Sequence, residues 1–160
     1  MTNNLERLIH LAEKTFAVKN DPSQLDVNQE VLLKLQKIHP STVSEYSDDN
    51  GPVAWLLLIP TTSVLMDQFI SGIITEKELF ELTPPDQRYD TIYLCSALVL
   101  EEYRRKGITK KLALKAIEEI RKDYPIKSLF IWPFTEEGNI AADVIAKETG
   151  LPLYKKESKY

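Results

Sequence analysis

The sequence predicts an α/β protein (α+β type), a mixed central sheet flanked by helices. Three observations carry that expectation. Apolar, strand-like runs at 53–59, 91–100 and 126–134 are separated by helical patterns of period 3.6. Asp48-Asp49-Asn50-Gly51 is a hairpin-turn sequence between the first two strands. The run at 91–100 passes through a basic turn around Gly107 straight into an amphipathic helix, opening a strand–helix–strand–helix–strand order.

Each element has its own justification. Leu5, Leu8, Ile9, Ala12 and Phe16 share one helical face, giving a first helix. A second is expected at about 27–38, with Asp26 as N-cap, Gln29 three residues on, and Val31, Leu32, Leu35 and Ile38 as its apolar stripe. His39-Pro40 ends it. Strands are expected at 42–47 and 52–59, the second apolar on both faces and therefore central.

Between them and the strand at 91–100, Ser63 is expected to cap a short helix reaching Ile70. Thr75 with Glu78 forms a capping box before Leu79, Phe80 and Leu82. The segment 61–90 holds Asp67, Glu76, Glu78, Glu81, Asp86 and Asp90 against Lys77 and Arg88, a local charge of −4. The helix after Gly107 is expected to bury Ile108, Leu112, Ala116 and Ile120 and to stop at Tyr124-Pro125. A strand at 126–134, a helix at 139–149 ended by Gly150, and a short strand at 153–156 complete the chain.

At 160 residues the chain fits a single domain, 1–160, with 61–90 as an inserted helical segment. A hydrophobic content of 43% is ordinary for a water-soluble protein, and no apolar run approaches a membrane span. A net charge of −4 argues against a dedicated nucleic-acid binder. The single cysteine, Cys95, allows no intramolecular disulfide, and the N-terminus lacks a signal pattern. A cytoplasmic protein is expected, with neither nucleic acid nor membrane as partner.

With His10 and His39 alone and no metal-binding spacing, a metal site is not expected. No Gly-x-Ser-x-Gly elbow, Walker loop or Gly-x-Gly-x-x-Gly occurs. What remains is a cluster of cations, Arg104, Arg105, Lys106, Lys110 and Lys111, at a helix N-terminus. The helix dipole makes that the unfavourable end for positive charge, by roughly 0.3–1 kcal/mol per exposed charge. Two readings stand. The turn cradles an anion on backbone N–H groups, or it is a solvated basic turn paired with Glu101, Glu102, Glu118 and Glu119.

The stretch Val99-Leu-Glu-Glu-Tyr-Arg-Arg-Lys-Gly-Ile-Thr109 resembles the acyl-CoA loop of the GNAT acyltransferase superfamily. Arg104, Gly107 and Thr109 stand at its Arg-x-x-Gly-x-Gly/Ala positions. Asn139, Ala142, Ala146, Gly150 and Leu151 match the family's last helix. The resemblance covers about 91–156. It implies a GNAT-like sheet with a V-shaped splay between the family's fourth and fifth strands, and acetyl transfer from acetyl-CoA to a primary amine. In that picture the backbone of Leu98, Val99 and Leu100 pairs with pantetheine. The loop of Arg104, Arg105, Lys106, Gly107, Ile108 and Thr109 holds the pyrophosphate, and Asn139 contacts the pantetheine arm or orders the cleft.

Two departures matter. Thr109 stands where a Gly or Ala is usual, and Ala146 replaces a tyrosine that in relatives can protonate the leaving thiolate. The position where several relatives carry a basic glutamate falls near Tyr93, the candidate catalytic residue, which orients water or substrate or else packs in the sheet. Alternation puts Cys95 on the same side as Tyr93. The acceptor is expected to be a small-molecule or peptide amine, cationic if the acidic segment 61–90 folds over its site. The N-terminal helices are expected to help shape that acceptor side. The alternative is an acyl-CoA-binding module with little or no transferase activity. Exposed sheet edges make a homodimer plausible, and nothing in the sequence requires one.

Overall fold

The computed structural model describes residues 4–19 and 29–157. Helices α1 (Asn4–Lys19) and α2 (Gln29–Ile38) lead into strands β1 (Val43–Asp48) and β2 (Gly51–Thr61). Helices α3 (Ser63–Ile70) and α4 (Glu76–Leu82) follow, then β3 (Thr91–Val99), α5 (Ile108–Asp123), β4 (Ser128–Ile131), α6 (Glu136–Thr149) and β5 (Leu153–Lys155). The five strands form one mixed sheet in sequence order. The hairpin β1–β2 and the pair β2–β3 are antiparallel, while β3–β4 and β4–β5 are parallel.

The sheet is the expected one, with element limits moved by local chemistry. The Asp26 cap and Val27 lie outside the described residues, as does the side chain of Phe16. Thr62, not Ser63, caps α3, accepting from the N–H of Leu65, while Ser63 bonds Asp90. Thr75 and Glu78 form the expected capping box on α4. Helix α6 starts three residues before Asn139, because the Thr135 hydroxyl accepts from the N–H of Gly138. Glu136 and Glu137 then sit in its first turn, where the dipole favours them. Strand β4 keeps only four residues of the expected nine, all buried.

Alternation along β3 assigns the faces. Thr91 and Tyr93 meet α3 and α4, through contacts with Met66, Phe69 and Glu76. Ile92 and Leu94 point to the other face, where α5 and α6 pack against one another. The main core therefore lies on both sides of β2, β3 and β4. A second, small core joins Leu8 of α1 to Val53, Ala54, Leu100 and Ile108.

Candidate acyl-donor cleft

Two features of β3 build the site. First, β3 and β4 pair only from Thr91↔Ser128 to Tyr93↔Phe130. Beyond that point β3 runs on for six residues while β4 turns away, so the edge of β3 is open on that side. This is the V-shaped splay, lying between β3 and β4 because α1 and α2 precede the first strand here. Second, the β2–β3 register shifts between Leu57, opposite Ser96, and Leu58, opposite Leu94. Cys95 is the extra residue of that bulge. A bulge re-aims side chains and breaks period-two alternation; Cys95 is half-buried and lines the cleft, whereas Tyr93 does not.

The splay opens a mostly apolar cleft of about 230 Å³. Leu94, Cys95, Ser96 and Ala97 form one wall, and Ile131 to Thr135 the other. Small side chains, Ala113 on α5 with Gly138, Ala141 and Ala142 on α6, leave room between the helices. Thr109, in the first turn of α5, closes the end nearest the basic loop.

That loop is shaped for an anion. Arg105 (φ 64°) and Gly107 (φ 75°) are both left-handed, and Gly107 is the N-cap of α5 with no side chain to cap it. A Cβ built on Gly107 meets nothing within 4 Å, so the glycine serves backbone conformation and access, not packing. Among the described residues no acceptor takes the backbone N–H groups of residues 105–110. The N–H groups of Ile108, Thr109 and Lys110 open the sixteen-residue helix α5, and free donors at a helix N-terminus favour an anion.

The cations around the loop are not tied up by the acids that a purely solvated turn would use. Arg104 Nε donates to the Val99 carbonyl at 3.1 Å, and Lys106 lies 5.4 Å from the Tyr103 ring. Arg105 reaches only Glu137, at 3.9 Å and almost fully exposed, and Lys110 pairs with Glu148 at 2.7 Å. Glu102 is held by Arg7 instead, both carboxylate oxygens accepting at 2.7 Å.

The predicted residues separate into groups. Thr109 lines the cleft directly. Arg104, Arg105, Lys106, Gly107 and Ile108 make the loop at its end. Leu98 and Val99 pair with β2 on one edge, the Val99 carbonyl accepts from Arg104 Nε on the other, and Leu100 is buried. The cleft wall itself is Leu94 to Ala97, nearer the bulge. Asn139, on α6 beside Gly138, has a buried Oδ1 that finds no partner among the described residues. A buried, unsatisfied amide oxygen is costly in a folded protein and signals a missing donor.

Tyr93 lies elsewhere. It is fully buried on the α3/α4 face, stacked 4.9 Å from Phe130, and its hydroxyl donates to Glu76 at 2.6 Å. Burial, and then the Glu76 charge, push its phenol well above the ordinary value of 10.0. Ala146 is buried in α6, so no phenol stands at that position. Trp132 touches both faces. It lines the cleft and meets Phe69 at 5.8 Å, and the Lys156 ammonium lies 5.7 Å from its ring and 5.3 Å from that of Phe69.

Sequence reading placed the second wall, through the resemblance, on the strand at 129–134 and named Ala142, but not Gly138 and Ala141 of α6. The spacing Gly138, Ala141, Ala142 on one helical face was the available signal.

Among the described residues no group of three or more His, Cys, Asp or Glu could hold a metal, and no helix is long and apolar enough to cross a membrane. The family model described as acetyltransferase (GNAT) family matches residues 5–151. Comparison with curated proteins returns no match. Among solved structures the chain is similar to the GphF GNAT-like decarboxylase in complex with isobutyryl-CoA, with a TM-score of 0.52 at 13% identity. The likeness covers 82% of this chain and 62% of that one, and it speaks to the fold alone.

Proposed function

Because this chain belongs to the acetyltransferase (GNAT) family, we propose that it transfers an acetyl group from acetyl-CoA to a primary amine. The observation that carries the reading is the convergence of the open β3 edge with the uncapped N-terminus of α5. An extended arm with amides at intervals fits the edge of a strand, and a diphosphate fits the free N–H groups of residues 105–110. Asn139, whose buried Oδ1 has no partner among the described residues, sits next to the cleft residue Gly138 and would accept from an amide N–H of an arm that reaches past it. Thr109 narrows the junction, and its hydroxyl can donate to a phosphate oxygen.

The chemistry is attack of the amine nitrogen on the thioester carbonyl with departure of the thiolate. Alignment of the two reactants is the main contribution asked of the protein. Neither Tyr93, buried away from the cleft, nor position 146 supplies a proton donor or acceptor. A cationic amine suits the α3/α4 face, where the Phe69 and Trp132 rings already hold the Lys156 ammonium. Of the acids in 61–90, Glu76, Glu78 and Asp90 are engaged with Tyr93, the α4 cap and Ser63. Asp67, Glu81 and Asp86 remain exposed to attract the amine.

The burial of Tyr93 and of Ala146 favours a second reading, an acyl-CoA-binding module with little turnover. Thiol release from acetyl-CoA, followed against a panel of polyamines, amino sugars and lysine peptides, separates the two. Amine-dependent release supports the transferase. Saturable binding with no release above the uncatalysed rate supports the module, and no binding overturns both.

A further inference from the structure

Helix α1 packs on β2 and β3, and its N-terminal half is fastened to the basic loop. Leu8 is fully buried between Leu100 and Ile108, the two residues that bracket the loop. Asn4, 6% exposed, donates from Nδ2 to Asp48 Oδ1 at 2.8 Å and to the Gly51 carbonyl at 3.4 Å. Tyr103 donates its hydroxyl to the other oxygen of Asp48. Arg7 bonds the Asn4 side chain at 3.3 Å and grips Glu102 with both carboxylate oxygens at 2.7 Å. One polar chain thus runs from α1 through the β1–β2 turn to the 3₁₀ turn Glu101–Tyr103, whose next residue is Arg104.

This places three carboxylates, Asp48, Glu101 and Glu102, just before a loop shaped to receive an anion. Left bare, they would oppose a phosphate ligand, since like charges repel through the modest dielectric of a protein surface. Arg7 pairs with one of them, Nη2 donating to both Glu102 oxygens while Nη1 reaches Asn4. Asn4 and Tyr103 donate to another.

We propose that Arg7 and Asn4 are positioning residues for the phosphate end of the acyl donor, Arg7 neutralising Glu102 and Asn4 holding Asp48 in place, so that the 104–107 loop keeps its anion-accepting form. The inference rests on the cleft binding acyl-CoA, and it assigns α1 to the cofactor side of the cleft. The Leu8 and Arg7 contacts join α1 to the loop. The recognised chemistry is the diphosphate, not the pantetheine arm, so the residues act as discriminators between ligands with and without phosphates.

The test compares acetyl-CoA with acetylpantetheine, which lacks the diphosphate, by calorimetric titration of wild type, Arg7→Met and the double variant Arg7→Met/Glu102→Gln. Arg7→Met is expected to weaken acetyl-CoA about fivefold, the upper range for a partly exposed ion pair, and acetylpantetheine by less than about twofold. The loss should shrink in high salt, and the double variant should regain part of it because the uncompensated carboxylate is gone. Equal weakening of both ligands, or no change for acetyl-CoA, overturns the proposal. Should Arg7→Met not fold, Arg7→Lys keeps the charge on one nitrogen and loses the second contact to Asn4, and is expected to fall between wild type and Arg7→Met with the same ligand discrimination. Wild type binding neither ligand overturns the acyl-CoA reading and this inference together. Wild type preferring acetyl-CoA while Arg7→Met leaves that preference unchanged overturns this inference alone.

Discussion

The Tyr93 hydroxyl donates to the Glu76 carboxylate at 2.6 Å, in a pair buried between β3 and the first turn of α4. The pair locks the inserted helices onto the sheet at the last residue before the splay, so its role is to hold the apex shut. Tyr93→Phe removes a donor to a buried carboxylate and is expected to cost about 1.5–3 kcal/mol in chemical denaturation. Acetyl-CoA affinity should stay unchanged, because Tyr93 does not line the cleft. A large loss of affinity with intact stability would contradict this placement.

The same pair has a pH dependence. The fold favours the neutral phenol, so the Tyr93 contribution is complete below the ordinary value of 10.0 and is lost as pH rises above it toward the raised one. Tyrosinate absorbance and stability measured together above pH 10 should show one tyrosine ionising only as the protein unfolds. Ionisation of all seven tyrosines in the native protein would refute it.

At the other end of the scale, the polar chain on α1 depends on ionised acids. The Tyr103 hydroxyl beside Asp48, and the Arg7 guanidinium beside Glu102, hold these carboxyls below their usual 3.8 and 4.5. Their contribution is present above those values and lost as pH falls through the lowered ones. Between pH 5 and 7 the loop contacts are therefore expected to be insensitive to pH, as amide exchange of residues 101–107 would register.

Asn139→Ala separates function from stability. It removes a buried oxygen without a partner and puts a better helix former inside α6, so thermal stability should hold or rise by a few tenths of a kcal/mol to about 1 kcal/mol. Acetyl-CoA binding should weaken. A melting temperature well below wild type would mean that the amide serves the fold.

Thr135→Ala removes the cap of α6 and is expected to cost about 1 kcal/mol, with fraying of the first turn where Gly138 borders the cleft. Circular dichroism through the thermal transition reads the loss directly. An unchanged transition would show that Glu136 and Glu137 suffice for the start of the helix.

The fold was legible because its signals are local. The Asp-Asp-Asn-Gly turn, the apolar run of β2, the Thr75/Glu78 capping box and Gly150 each act within a few residues. The loop could be read for the same reason, as Arg104 to Thr109 is one contiguous stretch. The β3 bulge was not legible, since the extra residue at Cys95 exists only relative to β2. The Glu76–Tyr93 bond, 17 residues apart, and the Arg7–Glu102 pair, 95 apart, are tertiary facts with no pattern along the chain. Thr135 was overlooked because the Asn139 motif drew the helix start three residues too late.

Calorimetric titration of acetyl-CoA into wild type and Gly107→Asp tests the central claim most directly, with Gly107→Ala as a control for the strain of a left-handed side chain. The account predicts saturable binding by wild type, a modest loss in Gly107→Ala, and abolished binding in Gly107→Asp, whose carboxylate would stand at the anion site. Equal affinity in wild type and a folded Gly107→Asp would contradict it, because the diphosphate could not then rest on the N-terminus of α5.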